Sequence, residues 1–352
     1  MRVAAVRTEV PPNRYEQRQI TDAFARINGG DEALLRRFHT SSGVGARHLA
    51  LPIEEYAAID GFTRANDAYI DAAVALGEKA LLGALDSAGV EPHEVDHVML
   101  CSSTGVATPS LDARIAQRAG LRQDVKRVPV FGLGCVAGAA GLARTHDYLT
   151  GHPGEVAVLV CVELCSLTLQ RDDTSPANLV ASSLFGDGAA AVVGLGDRRE
   201  AESPGPVAGP RVTATRSRLY PDTARLMGWE AGGHGLRIVL AADLVDTVEK
   251  HLADDVERFL AREGLTPDDI ATWVCHPGGP KVIDAVAGLF GLPGDALGHT
   301  WRSLRELGNM SSASVLNVLE RTMAGPRPEP GEPGLLLALG PGFSAELVLL
   351  RW

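Results

Sequence analysis

A chain of 352 residues with a formal charge of −11 is long enough for two domains or one large α/β unit. The negative charge repels phosphate backbones, which argues against nucleic acid as a partner and requires a local basic pocket for any anionic ligand. The N-terminal MRVAAVRTEVPP reaches its prolines before an apolar core develops, and no apolar run attains the roughly 18 residues that span a bilayer, so a soluble, cytoplasmic protein without a membrane span is expected.

In chain order, the first strong pattern is helical, with apolar residues at Val74, Leu81, Leu82 and Leu85 spaced by threes and fours. It runs into GVEPHEVDHVMLCSSTG, a turn followed by a strand ending near Cys101. GLGCVAGAAGLARTHDYL then sets Cys135 in a tight glycine turn between a strand and a helix, and β-rich EVAVLVCVE and AAAVVGLG follow. The Pro- and Gly-rich stretch 197–211 is a connector.

The same order then recurs. Val245, Val248, Leu252, Val256 and Phe259 repeat the helical spacing, GLTPDDIATWVCHPGG repeats the turn and strand, and ELGNMSSASVLNVLERTM repeats the glycine turn and helix. GPRPEPGEPG near residue 330 reads as a surface loop, and GLLLALG and SAELVLLRW close the second half in β sequence. Cys101 lies 34 residues before Cys135, and Cys275 lies 34 before Asn309. The repeat divides the chain at about residue 205: 1–205 is an N-terminal half carrying Cys135, and 206–352 a C-terminal half carrying His276 and Asn309. Alternating strands and helices predict an α/β fold of mostly parallel sheets covered by helices, its halves related by a pseudo-twofold axis.

Equivalent positions carry different polar residues. Cys135 answers Asn309, and Ser102 answers His276, so a thiol, an imidazole and a carboxamide are expected to converge at the seam. A cysteine at a helix start feels the positive end of the helix dipole, and a neighbouring imidazolium lowers its pKa further, which makes a thiolate near neutral pH. Such a thiolate is an acyl acceptor, while His276 and the Asn309 amide can hold a developing oxyanion or enolate without a metal. Alone, a cysteine in an apolar glycine turn is more often a packing residue; joint placement at repeat-related junctions points to a site. Cys101, Cys135, Cys161, Cys165 and Cys275 are odd in number and too few for a disulfide scaffold, so reduced thiols are expected. Cys161 and Cys165 read as core residues, and Asp187 in FGDG as part of a tight turn.

GCVAG around Cys135, LFGDGAAA at 184–191, CHPGGPK at 275–281, LGNMSSAS at 307–314 and GPGFSAE at 340–346 together resemble the type III polyketide synthases related to chalcone synthase, from about residue 35 to the C-terminus. The resemblance implies a duplicated thiolase-type αβαβα layered fold and a homodimer. It implies iterative decarboxylative condensation of malonyl-CoA or methylmalonyl-CoA onto a starter acyl-CoA, with coenzyme A thioesters as substrates and no tightly bound cofactor or metal. By the same resemblance Cys135 is the acyl-carrying nucleophile, and His276 and Asn309 assist decarboxylation. Phe185 is the gatekeeper of the tunnel, Thr168, Ser103 and Ser311 line the cavity, and Gly340, Pro341 and Gly342 shape its wall.

The sequence departs from the plant members at several positions. Ile238 stands where they carry a second gatekeeper phenylalanine, MGWEAGGHG at 227–235 is similar to bacterial members, and Ile238 favours a wider passage, a medium or long fatty acyl starter, and an alkylpyrone or alkylresorcinol product. Arg37 matches a basic residue expected near the coenzyme A phosphates. Leu34 and Ser41 replace lysines there, with Arg36 and Arg47 as candidate substitutes. Cys101 is weighed as a second cavity thiol, although its repeat partner Cys275 favours packing. Alternatives left open are a malonyl-primed tetrahydroxynaphthalene synthase, a ketoacyl synthase III of fatty-acid synthesis, a thiol hydrolase and a silent acyl-binding subunit.

Overall fold

The computed structural model describes residues 1–352 except Gly29, Ala242 and Arg327. The N-terminal half runs β1 (Arg2–Glu9), β2 (Asn13–Glu16), α1 (Gln17–Ile27), α2 (Glu32–Ser41), β3 (Ala46–Leu49), α3 (Gly61–Ala88), β4 (His97–Cys101), α4 (Leu111–Arg118), β5 (Lys126–Val130), α5 (Ala137–Gly151), β6 (Val156–Leu164), α6 (Pro176–Leu184), β7 (Asp187–Leu195) and α7 (Asp197–Ala201). The C-terminal half continues with β8 (Arg211–Leu219), β9 (Met227–Gly232), β10 (Gly235–Leu240), α8 (Leu244–Arg262), β11 (Thr272–Cys275), α9 (Pro280–Leu289), α10 (Gly298–Leu307), α11 (Ser312–Ala324), β12 (Pro333–Gly340) and β13 (Ser344–Arg351).

The repeat has a local cause. Helix α3 stops because Gly89 adopts φ 63°, letting Val90 N–H reach Leu85 O at 3.0 Å. Helix α8 stops in the same way, with Gly264 at φ 72° and Leu265 N–H on Leu260 O at 3.0 Å. Both are Schellman ends, for which only glycine is unstrained. A one-turn helix follows each, Pro92–Glu94 and Pro267–Asp269, and delivers the chain into β4 and β11. Leu82, expected on the buried face of α3, is instead exposed at 36%.

Nine strands lie in the order β11-β12-β13-β8-β1-β7-β6-β4-β5, so β1, β7, β6 and β4 occupy the same relative places as β8, β13, β12 and β11. The sheet is mixed, which corrects the expectation of mostly parallel pairing. Pairs β4–β5, β4–β6 and β11–β12 are parallel, whereas β1–β7, β6–β7, β12–β13, β13–β8 and the single pair between β1 and β8 are antiparallel. Strands β12 and β13 are joined by residues 341–343 alone, too few for a parallel crossover.

Alternation along the strands builds the layers. On β6, Ala157, Leu159 and Cys161 face a central core while Val156, Val158, Val160 and Val162 face an outer one with α3. On β12, Leu336 and Ala338 face the central core and Leu335, Leu337 and Leu339 the outer core with α8. Helices α5 and α11 pack against each other between the two halves of the sheet. The layers are therefore α, β, α, β, α, the duplicated thiolase-type arrangement. Gly138 permits the close approach of α5 and α11, because a Cβ there would run into the carbonyl oxygen of Ser312. That approach sets the N-terminal ends of α5 and α11, and the residues just before them, side by side.

Candidate active site

The residues just before α5 and α11 are Cys135 and Asn309. Cys135 lies in a single turn, Gly134–Val136, that leads directly into α5. Gly134 has φ 53°, and a Cβ there would come within 2.7 Å of the Pro341 ring. Its N–H donates to Ser103 Oγ at 3.0 Å. His276 follows the last residue of β11, its N–H held by Leu337 O at 2.9 Å. Asn309 follows α10 through Gly308 at φ 70°, with its own N–H on Leu184 O and its carbonyl accepting from Gly186 N–H, both at 2.9 Å. The Asn309 side chain accepts from Ser311 N–H at 2.8 Å and turns its Nδ2 toward Gly278 O at 3.4 Å. Its orientation is thus set by backbone on both sides.

All three residues line one cavity of about 410 Å³. Cys135, His276 and Asn309 are buried at its inner end, and the exposed Arg37 and Lys281 stand at its rim. Neither rim residue enters an ion pair among the described residues, so two free cations mark the mouth of a passage leading to a thiol. Behind the thiol, the fully buried Glu163 accepts from Ser103 N–H at 3.0 Å, Ser312 Oγ–H at 2.7 Å and Ser311 Oγ–H at 3.3 Å. It ties β6 of one half to the start of α11 in the other.

Burial dominates the electrostatics. It pushes the Cys135 thiol up to about 12, against the opposing pull of hydrogen bonds from Ser311 and Asn309. It also holds the His276 imidazole down to about 3. From the sequence, the helix end and a neighbouring imidazolium together are expected to make a thiolate; burial acts against both charged forms. Each charge is penalised separately, but a thiolate and an imidazolium formed together are a net-neutral pair. Both His276 ring nitrogens lack hydrogen-bond partners among the described residues, the Cys135 thiol included, so the imidazole faces the cavity without a protein partner.

A second cavity of about 320 Å³ lies on the other side of Phe185, which lines both. Thr168 and Ile238 line this second space, as expected of cavity residues, and so does Cys165, which the sequence assigned to the core. Ser103 and Ser311 line neither cavity; they stand behind Cys135 and bind Gly134 and Glu163. Gly340, Pro341 and Gly342 likewise line neither cavity: Gly340 and Pro341 buttress the Cys135 turn, where a Cβ on Gly340 would meet Val136 N at 2.6 Å, and Gly342 faces Leu219. Cys101 and Cys161 are core residues, and all five cysteines are free.

Among the proposed coenzyme A contacts, Arg37 is at the rim. Arg36 is exposed but paired with Asp22 at 2.9 Å and Glu32 at 2.7 Å. Arg47 is buried at 3% exposure and lines the second cavity, so it is not a surface phosphate contact. Asp187 is no turn residue: it opens β7, fully buried, and accepts from Ala50 N–H and Ser166 N–H. Sequence reading missed Lys281, although it closes the CHPGGPK motif; Trp229, inside the quoted MGWEAGGHG; and Glu163, a lone carboxylate ending an apolar strand.

Family models for the chalcone and stilbene synthases match nearly the whole chain, the N-terminal domain over residues 1–197 and the C-terminal domain over 211–352. The chain is 58% identical to a 1,3,6,8-tetrahydroxynaphthalene synthase of Streptomyces peucetius subsp. caesius, over 99% of this chain and 93% of the relative. It is 33% identical to a 3,5-dihydroxyphenylacetyl-CoA synthase of Streptomyces toyocaensis, over 100% of this chain and 90% of the relative. The crystal structure of 1,3,6,8-tetrahydroxynaphthalene synthase from Streptomyces coelicolor A3(2), a bacterial type III polyketide synthase, superposes with a TM-score of 0.93 at 29% identity, covering 100% of this chain and 99% of that one. With a buried cysteine, histidine and asparagine brought together by a duplicated fold and these full-length matches, the chain belongs to the chalcone and stilbene synthase family, the type III polyketide synthases.

Proposed function

We propose that this chain is a malonyl-primed synthase whose product is a fused polyphenol of the tetrahydroxynaphthalene type. The observation that carries this reading is the 58% identity to such a synthase over essentially the full chain. Cys135 attacks the thioester carbonyl of malonyl-CoA bound in the first cavity, forming an acyl–enzyme and releasing the coenzyme A thiol, whose phosphates lie near Arg37 and Lys281. His276 and the Asn309 amide hold the oxygen of the next malonyl thioester while its carboxylate leaves as carbon dioxide. The resulting enolate carbon attacks the acyl–enzyme, forming the new carbon–carbon bond and freeing Cys135. The growing chain extends past Phe185 into the second cavity, where it folds before cyclisation. Coenzyme A thioesters are the substrates, and no step calls for a metal or a tightly bound cofactor.

The fatty acyl starter favoured by Ile238 gives way in this reading. Ile238 is paired across the β9–β10 ribbon with Trp229, and both side chains line the second cavity, so the indole occupies width that the aliphatic residue opens. The edge strand β5 exposes Val128, and the following Phe131 is 56% exposed, which supports a homodimer formed along that edge. Among the described residues no helix is long and apolar enough to cross a membrane, and we place the enzyme in the cytoplasm.

Incubation with malonyl-CoA alone, followed by product analysis and intact-protein mass, tests the reading. A naphthol released without any added starter supports it; an absolute requirement for a fatty acyl-CoA or an acyl carrier protein thioester refutes it. In the same assay Cys135→Ala is expected to show no acyl adduct. Asn309→Ala should slow malonyl decarboxylation by on the order of a hundredfold while starter loading falls much less. Equal loading of wild type and Cys135→Ala would refute the role of the thiol.

A further inference from the structure

Helix α6 ends at Leu184 with Phe185 as its capping residue, and the last carbonyls of any helix need donors from outside it. Here three successive carbonyls receive three different donors. Ser183 O accepts from Gln17 Nε2 at 2.7 Å, Leu184 O from Asn309 N–H at 2.9 Å, and Phe185 O from Arg47 Nη1 at 2.7 Å. Arg47 Nε also donates to Gln17 Oε1 at 3.1 Å, so the two side-chain donors brace each other.

The Arg47 stem is built in rather than draped. It comes from β3, in a two-stranded ribbon with β2 outside the main sheet, and passes between Gly308 and Gly186. A Cβ on Gly308 would approach its Cγ and Cδ to 3.0 Å, and one on Gly186 would stand 3.7 Å from its Cγ. The backbone it reaches is the stretch that bridges Asn309, since Phe185 and Asn309 form a parallel bridge and Gly186 N–H donates to Asn309 O. Phe185 is also the side chain that lines both cavities. A desolvated guanidinium is expensive to bury, and this one has no carboxylate within ion-pairing distance among the described residues; its two hydrogen bonds there go to the gate carbonyl and to Gln17.

We propose that Arg47, braced by Gln17, is a positioning residue that fixes the Phe185 gate relative to Asn309 and thereby sets which acyl chains pass from the first cavity into the second. Without the brace, the C-terminal turn of α6 is free to shift, and the gate and the Asn309 backbone move together. Starter discrimination by chain length then relaxes. This role is distinct from a coenzyme A phosphate contact, which would weaken every thioester alike. It rests on the polyketide synthase assignment but not on the malonyl-primed reading, which wild-type product analysis tests separately.

The experiment compares wild type, Arg47→Met, Arg47→Lys and Gln17→Ala for kcat and KM with acetyl-, hexanoyl- and lauroyl-CoA, and for occupancy of Cys135 by each acyl group in intact-protein mass. The ratio of lauroyl to acetyl kcat/KM is expected to shift by about tenfold in Arg47→Met, less and in the same direction in Gln17→Ala, with Arg47→Lys restoring part of the discrimination. A ratio that stays within about twofold of wild type in all three variants overturns the proposal, whether activity is kept or falls uniformly. So does an increase of KM for every thioester alike at constant ratio. Thermal melts identify a variant that fails to fold; if Arg47→Met does, Gln17→Ala and Arg47→Lys decide by the same ratio.

Discussion

Replacing His276 with glutamine removes the imidazole that can take up the Cys135 proton at the inner end of the first cavity. Burial, helped by the nearby Glu163 charge and opposed by hydrogen bonds from Ser311 and Asn309, pushes this thiol up to about 12, so without a paired base little thiolate forms at pH 7. The direction is that of an acid whose charged form is desolvated: below its raised pKa the thiol is protonated and inert, and reactivity rises only as the pH climbs toward that value. In the native site the thiolate is expected to form together with protonated His276, which would bring its alkylation midpoint down from that of the buried thiol alone. Measured by iodoacetamide modification between pH 5 and 10, with intact-mass readout and Cys135→Ala as the blank, wild type is expected to reach its plateau rate within the range. His276→Gln should climb throughout it and react at least about a hundredfold more slowly at pH 7. Superimposable profiles for wild type and His276→Gln would refute the pairing and leave the thiol to be activated by some other group.

Charge reversal at the rim, Arg37→Glu with Lys281→Glu, should raise KM for coenzyme A thioesters about tenfold at low salt, with the difference shrinking as ionic strength rises; Arg36→Glu, which breaks only surface pairs with Glu32 and Asp22, should change KM less than twofold. Equal effects at positions 36 and 37 would sink the placement of the phosphates. Gly340→Ala would force a Cβ to within 2.6 Å of Val136 N, in the turn that holds Cys135. The expected outcome is a loss of about 2 kcal/mol of stability, a Tm lowered by several degrees, and slower loading of Cys135. An unchanged melt together with unchanged loading would show that the turn has room the geometry denies.

The sequence carried the repeat, and with it the pairing of Cys135 with Asn309 and of Ser102 with His276, because helix-stopping glycines and strand patterns are local features that recur in order. Gly89 and Gly264 close their helices in the same way whatever surrounds them. The equal 34-residue spacing from Cys101 to Cys135 and from Cys275 to Asn309 placed the candidate site residues at equivalent junctions, and motif resemblance supplied the expected chemistry. Tertiary structure decided what depends on neighbours distant in sequence. Arg36, Arg37 and Arg47 look alike in a string, yet one is paired on the surface, one faces the cavity rim and one threads between two glycines to the gate. Ser103 and Ser311 became supports rather than cavity walls because Glu163, distant from both in the chain, draws them behind the thiol. The proton affinity of Cys135 was likewise beyond local reading. A helix end acts over one turn, but burial is the summed exclusion of water by both halves of the fold.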